Sequence, residues 1–387
     1  MVVGKSDRPQ FLVGFTVLRT NLPGGRRANV ITERARLVRA DGSDDRPIAE
    51  ELTCEPDHWT QFAGWSPDAR TAYVYSGWES AENAAWEEEH KGFRMTEGWL
   101  LDLCAVDLTT GQITDLSAVE RVSNYNQGCS FWPDRPSQMG FEALIDGQSH
   151  PFTMDRNGRN KRDLAAGSSS FIYGTSISPD GRQIAYHRDY RLCVAEADGA
   201  NARVIETGRP FNFGPTWSPD GGWLLFVSGA SNHTTDVFIV RPDGSGLRKI
   251  GDRGGYEGVI AFLDVPDFHG GSSDVPIWSK DGAWVYYTAR LGKAIELTRV
   301  SLDGESQQLT HSEDGVLNYH PKVSSDGCWL ILGSTRTGVR QLFIARSDGS
   351  DSRALTDVPT GWGAIHACCQ PARSASANTP WPRQARC

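Results

Sequence analysis

The chain has 387 residues, 39% of them hydrophobic and 10% aromatic, with 41 Gly, 20 Pro, only 4 Met and a formal net charge of −9. That mix can fill a large core and favours many short strands and turns over long helices. No stretch approaches the ~18 apolar residues of a membrane helix. A nucleic-acid binder normally shows a basic stripe. Here only Arg26 with Arg27, Lys161 with Arg162 and a weakly basic C-terminal end stand out, so neither a membrane span nor nucleic acid is expected.

Taken in chain order, Lys5 and Arg8 precede an apolar run at 11–18 that Arg19 ends. The run is short and no small-residue cleavage site follows, so it does not read as a signal peptide. Residues 1–10 read as an N-terminal extension. The cysteines at 54, 104, 129, 193, 328, 368, 369 and 387 show no CxxC spacing and mostly sit in strand-like runs. Reduced thiols in a cytoplasmic protein are the expectation.

Two short patterns then alternate along the chain. One is an aromatic or aliphatic residue followed by Ser-Pro-Asp-Gly or a decayed copy. It occurs at Trp65-Ser66-Pro67-Asp68, Phe131-Trp132-Pro133-Asp134, Ile177-Ser178-Pro179-Asp180, Trp217-Ser218-Pro219-Asp220, Trp278-Ser279-Lys280-Asp281 and Val323-Ser324-Ser325-Asp326, with an eroded copy at Cys369-Gln370-Pro371. The other is a turn ending in Gly42, Gly111, Gly158, Gly199, Gly244, Gly304 or Gly349. Repeats about 40–50 residues long indicate a propeller, a solenoid or an array. Each unit holds strand-like runs such as 183–186, 223–226, 284–287 and 329–332, a second run such as 237–240 or 342–345, and a short last one such as 307–310. Four short strands joined by tight turns make a propeller blade.

With the strands of a blade named A to D from the inside out, the first Asp-Gly turn, at Gly42, precedes any A strand. Blade 1 therefore takes B, C and D from residues 11–50 and its A strand from residues 364–371, which closes the ring and removes an open edge. The expectation is an all-β, seven-bladed propeller over residues 11–372. Residues 373–387, rich in Ser, Ala and Pro, read as a disordered tail.

Blades that read Trp-Ser-Pro-Asp-Gly, strand, strand, Asp-Gly, Leu-Thr resemble TolB-like, or WD40-like PD40, β-propeller repeats. Residues 217–221 with Asp243-Gly244, and Gln308-Leu309-Thr310, carry the match most clearly. The resemblance implies a periplasmic interaction module, an accessory domain of a serine peptidase or an oligogalacturonate lyase. The chain has no Gly-x-Ser-x-Gly elbow, and seven blades leave no room for a hydrolase domain, which disfavours the peptidase. Oligogalacturonate lyases open an A strand with His-x-His-Pro, place a Gln just upstream and open the preceding blade with another metal-binding His. Here the segment reads Asn318-Tyr319-His320-Pro321. His320 matches the second histidine, while Asn318, Gly315 and Val275 stand where the family has its other ligands.

In a propeller the A–B and C–D turns share one face, and the D–A and B–C connections share the other. All nine histidines fall in or beside the second set: His58, His269, His311, His320 and His366 before or at A strands, and His90, His150, His187 and His233 near B–C connections. Two long insertions fall there too. Residues 77–98 carry Asn83, Trp86 and a Glu run that can form a short helix. Residues 251–273 carry Arg253, Tyr256 and His269, with Asp274 just beyond. Such loops are usually functional or disordered. Polar residues also simply prefer loops.

His320 and His366 occupy one register on neighbouring A strands. With His269 and Asp274 they form a candidate site for a divalent Mn, Fe or Zn ion. His187, His233 and Tyr256 are candidate bases for removing a proton beside a uronate carboxylate, and Arg188 or Arg253 can hold that carboxylate. Arg253, Trp86, Asn83, Gln61 and Gln127 complete the ligand-binding candidates. Cys368, two residues after His366, forms a third option as a nucleophile pair, although no orienting group is visible. The reading is a propeller that binds a small acidic or saccharide ligand at its His-rich face, with metal-assisted lyase-type elimination as the chemistry the resemblance adds. A non-catalytic protein-interaction scaffold is the competing class.

Overall fold

The structure is a computed structural model that describes residues 9–92, 98–117, 121–122, 129–145, 147–263 and 271–372. Its recurring turns close on themselves through side chains. Ser218 donates its hydroxyl to Asp220 Oδ1 at 2.5 Å and accepts from the Trp223 amide at 2.9 Å. Ser66, Ser178, Ser279 and Ser324 make the same pair of bonds in their own turns. The donated bonds, the serine hydroxyl's foremost, hold Asp180, Asp220 and Asp281 below the usual carboxylate range. The signature is thus a hairpin lock, not chemistry waiting for a substrate.

The Leu-Thr pair is a second lock. Leu309 N donates to Leu297 O, and Thr310 Oγ1 accepts from Leu297 N at 2.8 Å, which clips the outermost strand onto strand C. Leu355 with Thr356 does the same on Leu342, and Leu116 with Ser117 on Leu103. The signature tryptophans sew neighbouring blades together. Trp65 Nε1 donates to Cys368 O at 2.9 Å, Trp217 Nε1 to Ser176 O at 3.1 Å and Trp278 Nε1 to Thr216 O at 3.4 Å.

These locks yield seven antiparallel sheets around one axis. Blade 1 runs Trp362–Cys369, Leu12–Arg19, Arg34–Arg39 and Arg46–Pro47 from the inside out. Its innermost strand comes from the C-terminal end and pairs antiparallel with the N-terminal one, Val13 opposite Cys369 and Arg19 opposite Trp362. Gln370 reinforces the seam by accepting from Leu12 N and donating to Ala69 O. Blades 2, 4, 5, 6 and 7 have inner strands His58–Trp65, Ile172–Ile177, Phe211–Trp217, Ile277–Trp278 and Asn318–Val323, each followed outward by three more. In blade 3 the inner position is divided between Arg121–Val122 and Ser130–Trp132, both paired with Arg135–Ile145.

The core lies between blades. Val13, Phe15, Val17 and Val38 of blade 1 pack against Ile331, Leu342 and Ile344 of blade 7, and the other junctions repeat the pattern. Each such side chain contributes about 1.5–3 kcal/mol when fully buried. Both long insertions are structured where described. The first holds helix α2, Ala81–His90, capped by Ser80, whose hydroxyl accepts from Asn83 N. A six-residue helix α1, Gly25–Val30, in the B–C connection of blade 1 had no signal in the sequence. The second insertion forms a hairpin of Val259–Ala261 and Gly271–Ser273 between blades 5 and 6. No helix among the described residues is long and apolar enough to cross a membrane.

Candidate functional site

The inner strands of blades 2, 4, 5, 7 and 1 each carry a bulge. In blades 4 and 5 the bulge places glycine in the left-handed region, Gly174 at φ 76° and Gly214 at φ 63°. In blades 7 and 1 the same place holds His320 at φ 49° and His366 at φ 54°. A side chain there costs roughly 1 kcal/mol relative to an ordinary conformation. Strain of this kind persists where surrounding structure enforces it, and it clusters at functional sites.

The two imidazoles are neighbours, with ring centroids 5.9 Å apart. Phe262, from the hairpin insertion, stands edge-on to both, at 5.7 Å from His320 and 5.2 Å from His366. His320 Nε2 lies 3.2 Å from the Ser273 carbonyl and 3.0 Å from Ser272 Oγ. A carbonyl only accepts, so Nε2 carries the proton and Nδ1 keeps its lone pair. His366 Nδ1 lies 2.7 Å from Gln61 Nε2, and as this amide stands it donates to Nδ1, which leaves the ring proton on Nε2. His320 Nδ1 and His366 Nε2 have no protein partner. Burial holds both imidazoles down to about 3. The Lys322 ammonium adds to the effect on each, and the neighbouring His320 adds to it on His366. Both rings are therefore neutral at pH 7, one offering an acceptor and the other a donor.

Asp274 joins this mouth without entering it. Oδ2 accepts from Tyr256 OH at 3.1 Å and Thr288 Oγ1 at 2.7 Å, and Oδ1 accepts from the backbone N of His320 at 3.0 Å. Only 1% of the residue is exposed. Its role is to pin the His320 bulge. Tyr256, 4% exposed, is a donor to Asp274, and burial raises its phenol far above the ordinary range. It has no free base to offer. Arg253 is 1% exposed, bonds Thr288 O and Oγ1 and lies over the Tyr256 ring. It anchors the insertion and cannot reach a ligand's carboxylate. Burial raises the Cys368 thiol, the reverse of what a nucleophile needs.

The remaining candidates lie apart. His187 is wholly buried in blade 4 among Tyr173, Tyr190 and Phe213, with both ring nitrogens unpartnered and its pKa pushed down to about 3 by burial. Arg188 ends the same strand, opposite Arg191. His233 is exposed, 3.5 Å from Glu257. Asn83 is buried and donates to Glu79, while Trp86 stacks on His90 at 4.2 Å. Gln127 and His269 lie outside the described residues. Of the candidates, the structure brings together His320, His366, Gln61, Asp274, Tyr256 and Arg253, and the two histidines each keep a ring nitrogen without a protein partner.

Sequence reasoning missed Phe262, Lys322 and Arg340, whose NH1 is buried without a partner beside Tyr319 and Phe262. Lys322 follows His320 by two positions, across the bulge that shifts the register of this strand. Phe262 and Arg340 arrive through tertiary folding alone. A separate cleft of about 370 Å³ lies between blades 6 and 7, with Leu297, Leu309, Leu330 and Leu332 below and Thr310, His311, Ser312, Glu313 and Arg336 around it. It contains none of the predicted residues.

No family model matches the chain. A stretch of 176 residues is 28% identical to an uncharacterized protein, Atu1656, of Agrobacterium fabrum, covering 38% of this chain and 59% of that protein. A stretch of 142 residues is 30% identical to the Tol-Pal system protein TolB of Azoarcus sp., covering 33% of each. The matches thus span between a third and three fifths of those relatives. Among solved structures, TolB from Acinetobacter baumannii superposes over 94% of this chain and 67% of its own, with a TM-score of 0.51 at 15% identity. An oligogalacturonate lyase in complex with manganese superposes over 92% of this chain and 89% of its own, with a TM-score of 0.57 at 13% identity. At these identities the likeness is one of fold. The seven-sheet ring makes the chain a seven-bladed β-propeller, and its blade signature resembles TolB-like, PD40-type repeats.

Proposed function

We propose that this propeller binds a small acidic or saccharide ligand at its channel mouth, on the face away from the Ser-Pro-Asp turns. The observation that carries the reading is the pair His320 and His366. Both are held in left-handed backbone where blades 4 and 5 use glycine, and each has one ring nitrogen without a protein partner. Lys322 supplies positive charge beside them. Calorimetric titration with galacturonate and its oligomers tests it. Saturable binding that His320→Ala weakens supports the reading, and no binding of any of them overturns it.

Metal-assisted elimination, the chemistry of the manganese-bearing neighbour, gains less support from these residues. Among the described residues no group of three or more His, Cys, Asp and Glu side chains is placed to hold a metal ion. Among the described residues the mouth offers two imidazoles, a carboxylate already committed to three donors and a lysine ammonium. That donor set does not fit a divalent cation. Elimination would register as an unsaturated uronate product in ultraviolet absorbance.

The likeness to TolB favours a second reading, a protein-binding scaffold. Among the described residues the exposed large hydrophobics Leu100, Tyr190, Val259 and Leu291 come from four separate segments rather than one continuous run. Scattered apolar residues of this kind are ordinary surface. A cytoplasmic location with reduced cysteines is part of the proposal, and cell fractionation tests it.

A further inference from the structure

Resting on the binding role proposed above, we infer that the mouth grips its ligand directly, without a bridging cation: one hydroxyl of a hydroxy-acid or uronate ring is held between His366 Nε2–H and His320 Nδ1, with the ligand's carboxylate at Lys322. A hydroxyl is the group that both donates and accepts, and the two rings present one partner of each kind. The Ser273 carbonyl sets the proton of His320, and Gln61 sets that of His366. The two rings are neighbours, with centroids 5.9 Å apart, and each keeps one nitrogen without a protein partner, near enough for one ligand oxygen to be shared between them. The charged groups that bear on His320 besides Asp274 are Lys322, Arg340 and Arg253, all cationic. They oppose a divalent cation and favour a carboxylate.

Gln61 is what selects between the two kinds of site. Its amide, as it stands, puts a proton on His366 Nε2. A carboxylate in its place would instead accept from Nδ1–H and free the Nε2 lone pair, as carboxylate–histidine pairs do at metal centres. Asn318, where the lyase pattern has its other histidine, is turned away: its amide donates to Ile295 O and Glu296, and its carbonyl accepts from Arg336.

The experiment is titration of the full chain with D-galacturonate, with EDTA and separately with added MnCl2, and with MnCl2 alone. The expected result is the same affinity with EDTA as with manganese, and no saturable binding of Mn²⁺ alone. Lys322→Met should weaken galacturonate at least tenfold, the loss of one charge-assisted contact of about 1.5–3 kcal/mol. Gln61→Glu should weaken it as well and should create saturable Mn²⁺ binding that the wild type lacks. Binding abolished by EDTA and restored by Mn²⁺ would overturn the direct grip while leaving the binding role intact. Binding unaffected by Lys322→Met, with an unchanged melting temperature, would also overturn it. Failure to bind galacturonate or its oligomers under any of these conditions would overturn both.

Discussion

At the scale of the residue, the informative comparison is between equivalent positions in one ring. Gly174 and Gly214 take the left-handed bulge at no steric cost, and His320 and His366 take it at a cost. His320→Gly and His366→Gly should therefore leave the melting temperature unchanged or slightly raised while lowering galacturonate affinity at least tenfold. A matching loss of stability in calorimetry would make the histidines structural instead. The buried titratable groups fix the pH response. His187, His320 and His366 have folded pKa values of about 3 against an ordinary 6.5, so between pH 6.5 and 3 the unfolded chain binds protons that the folded chain refuses. Their contribution is complete above about 6.5 and drains as pH falls. Glu142 acts in the opposite sense: burial lifts it from 4.5 to about 7, so its contribution is present below 4.5 and is lost as pH rises through 7. Its Oε1 accepts from Thr175 N, a bond that glutamine keeps, and Oε2 has no partner. Glu142→Gln should be more stable than the wild type at pH 8, with the advantage shrinking toward pH 5. Thermal melts at both values check this, and an equal advantage at both would contradict it.

At the scale of the element, the two helices in the B–C connections of blades 1 and 2 are fastened by a buried ion pair. Arg26 of α1 meets the Glu79 carboxylate at 2.7 Å, with the two side chains 5% and 0% exposed, and Asn83 of α2 donates to the same carboxylate. Arg27 adds a bond to Glu79 O and a pair with Asp57. Breaking a buried pair from one side leaves a charge without its partner and costs about 3–5 kcal/mol. Arg26→Ala should cost that much in denaturant titration, and Arg26→Met with Glu79→Leu should recover most of it. A single-variant loss below about 1 kcal/mol would mean that Glu79 is protonated in the folded chain. The sequence marked the α2 segment by its length and Glu run. It gave no sign of α1, because six residues are too few to display helical periodicity.

At the scale of the whole molecule, the ring depends on a strand borrowed from the far end of the chain. Removing residues 364–387 takes most of the inner strand of blade 1 and bares the edge of Leu12–Arg19, whereas removing 373–387 touches no described contact. The shorter truncation should melt like the full chain. The longer one should lose its cooperative transition or aggregate through the open edge. Equal melting curves for the two would contradict closure by the termini.

The sequence by itself determined the blade count and the closure. Those follow from local rules repeated around the ring: a serine and an aspartate lock five of the hairpins, a leucine followed by Thr or Ser clips the outer strand in three blades, and three tryptophans link neighbours. The sequence also placed His320 and His366 at one register, because inner strands of successive blades are equivalent. Tertiary structure alone decided what those histidines can do. The bulge that turns them left-handed shifts strand register, and simple alternation cannot foresee it. Asp274 and Tyr256 looked like a ligand and a base, yet they found each other, Thr288 and the His320 backbone first, because a buried carboxylate must fill its lone pairs. The tautomers of the mouth were set by a carbonyl at Ser273 and an amide at Gln61, 47 and 305 residues away in sequence from the rings they orient. Contacts that distant are written by folding, and they fix which ring nitrogen of each histidine is left without a protein partner.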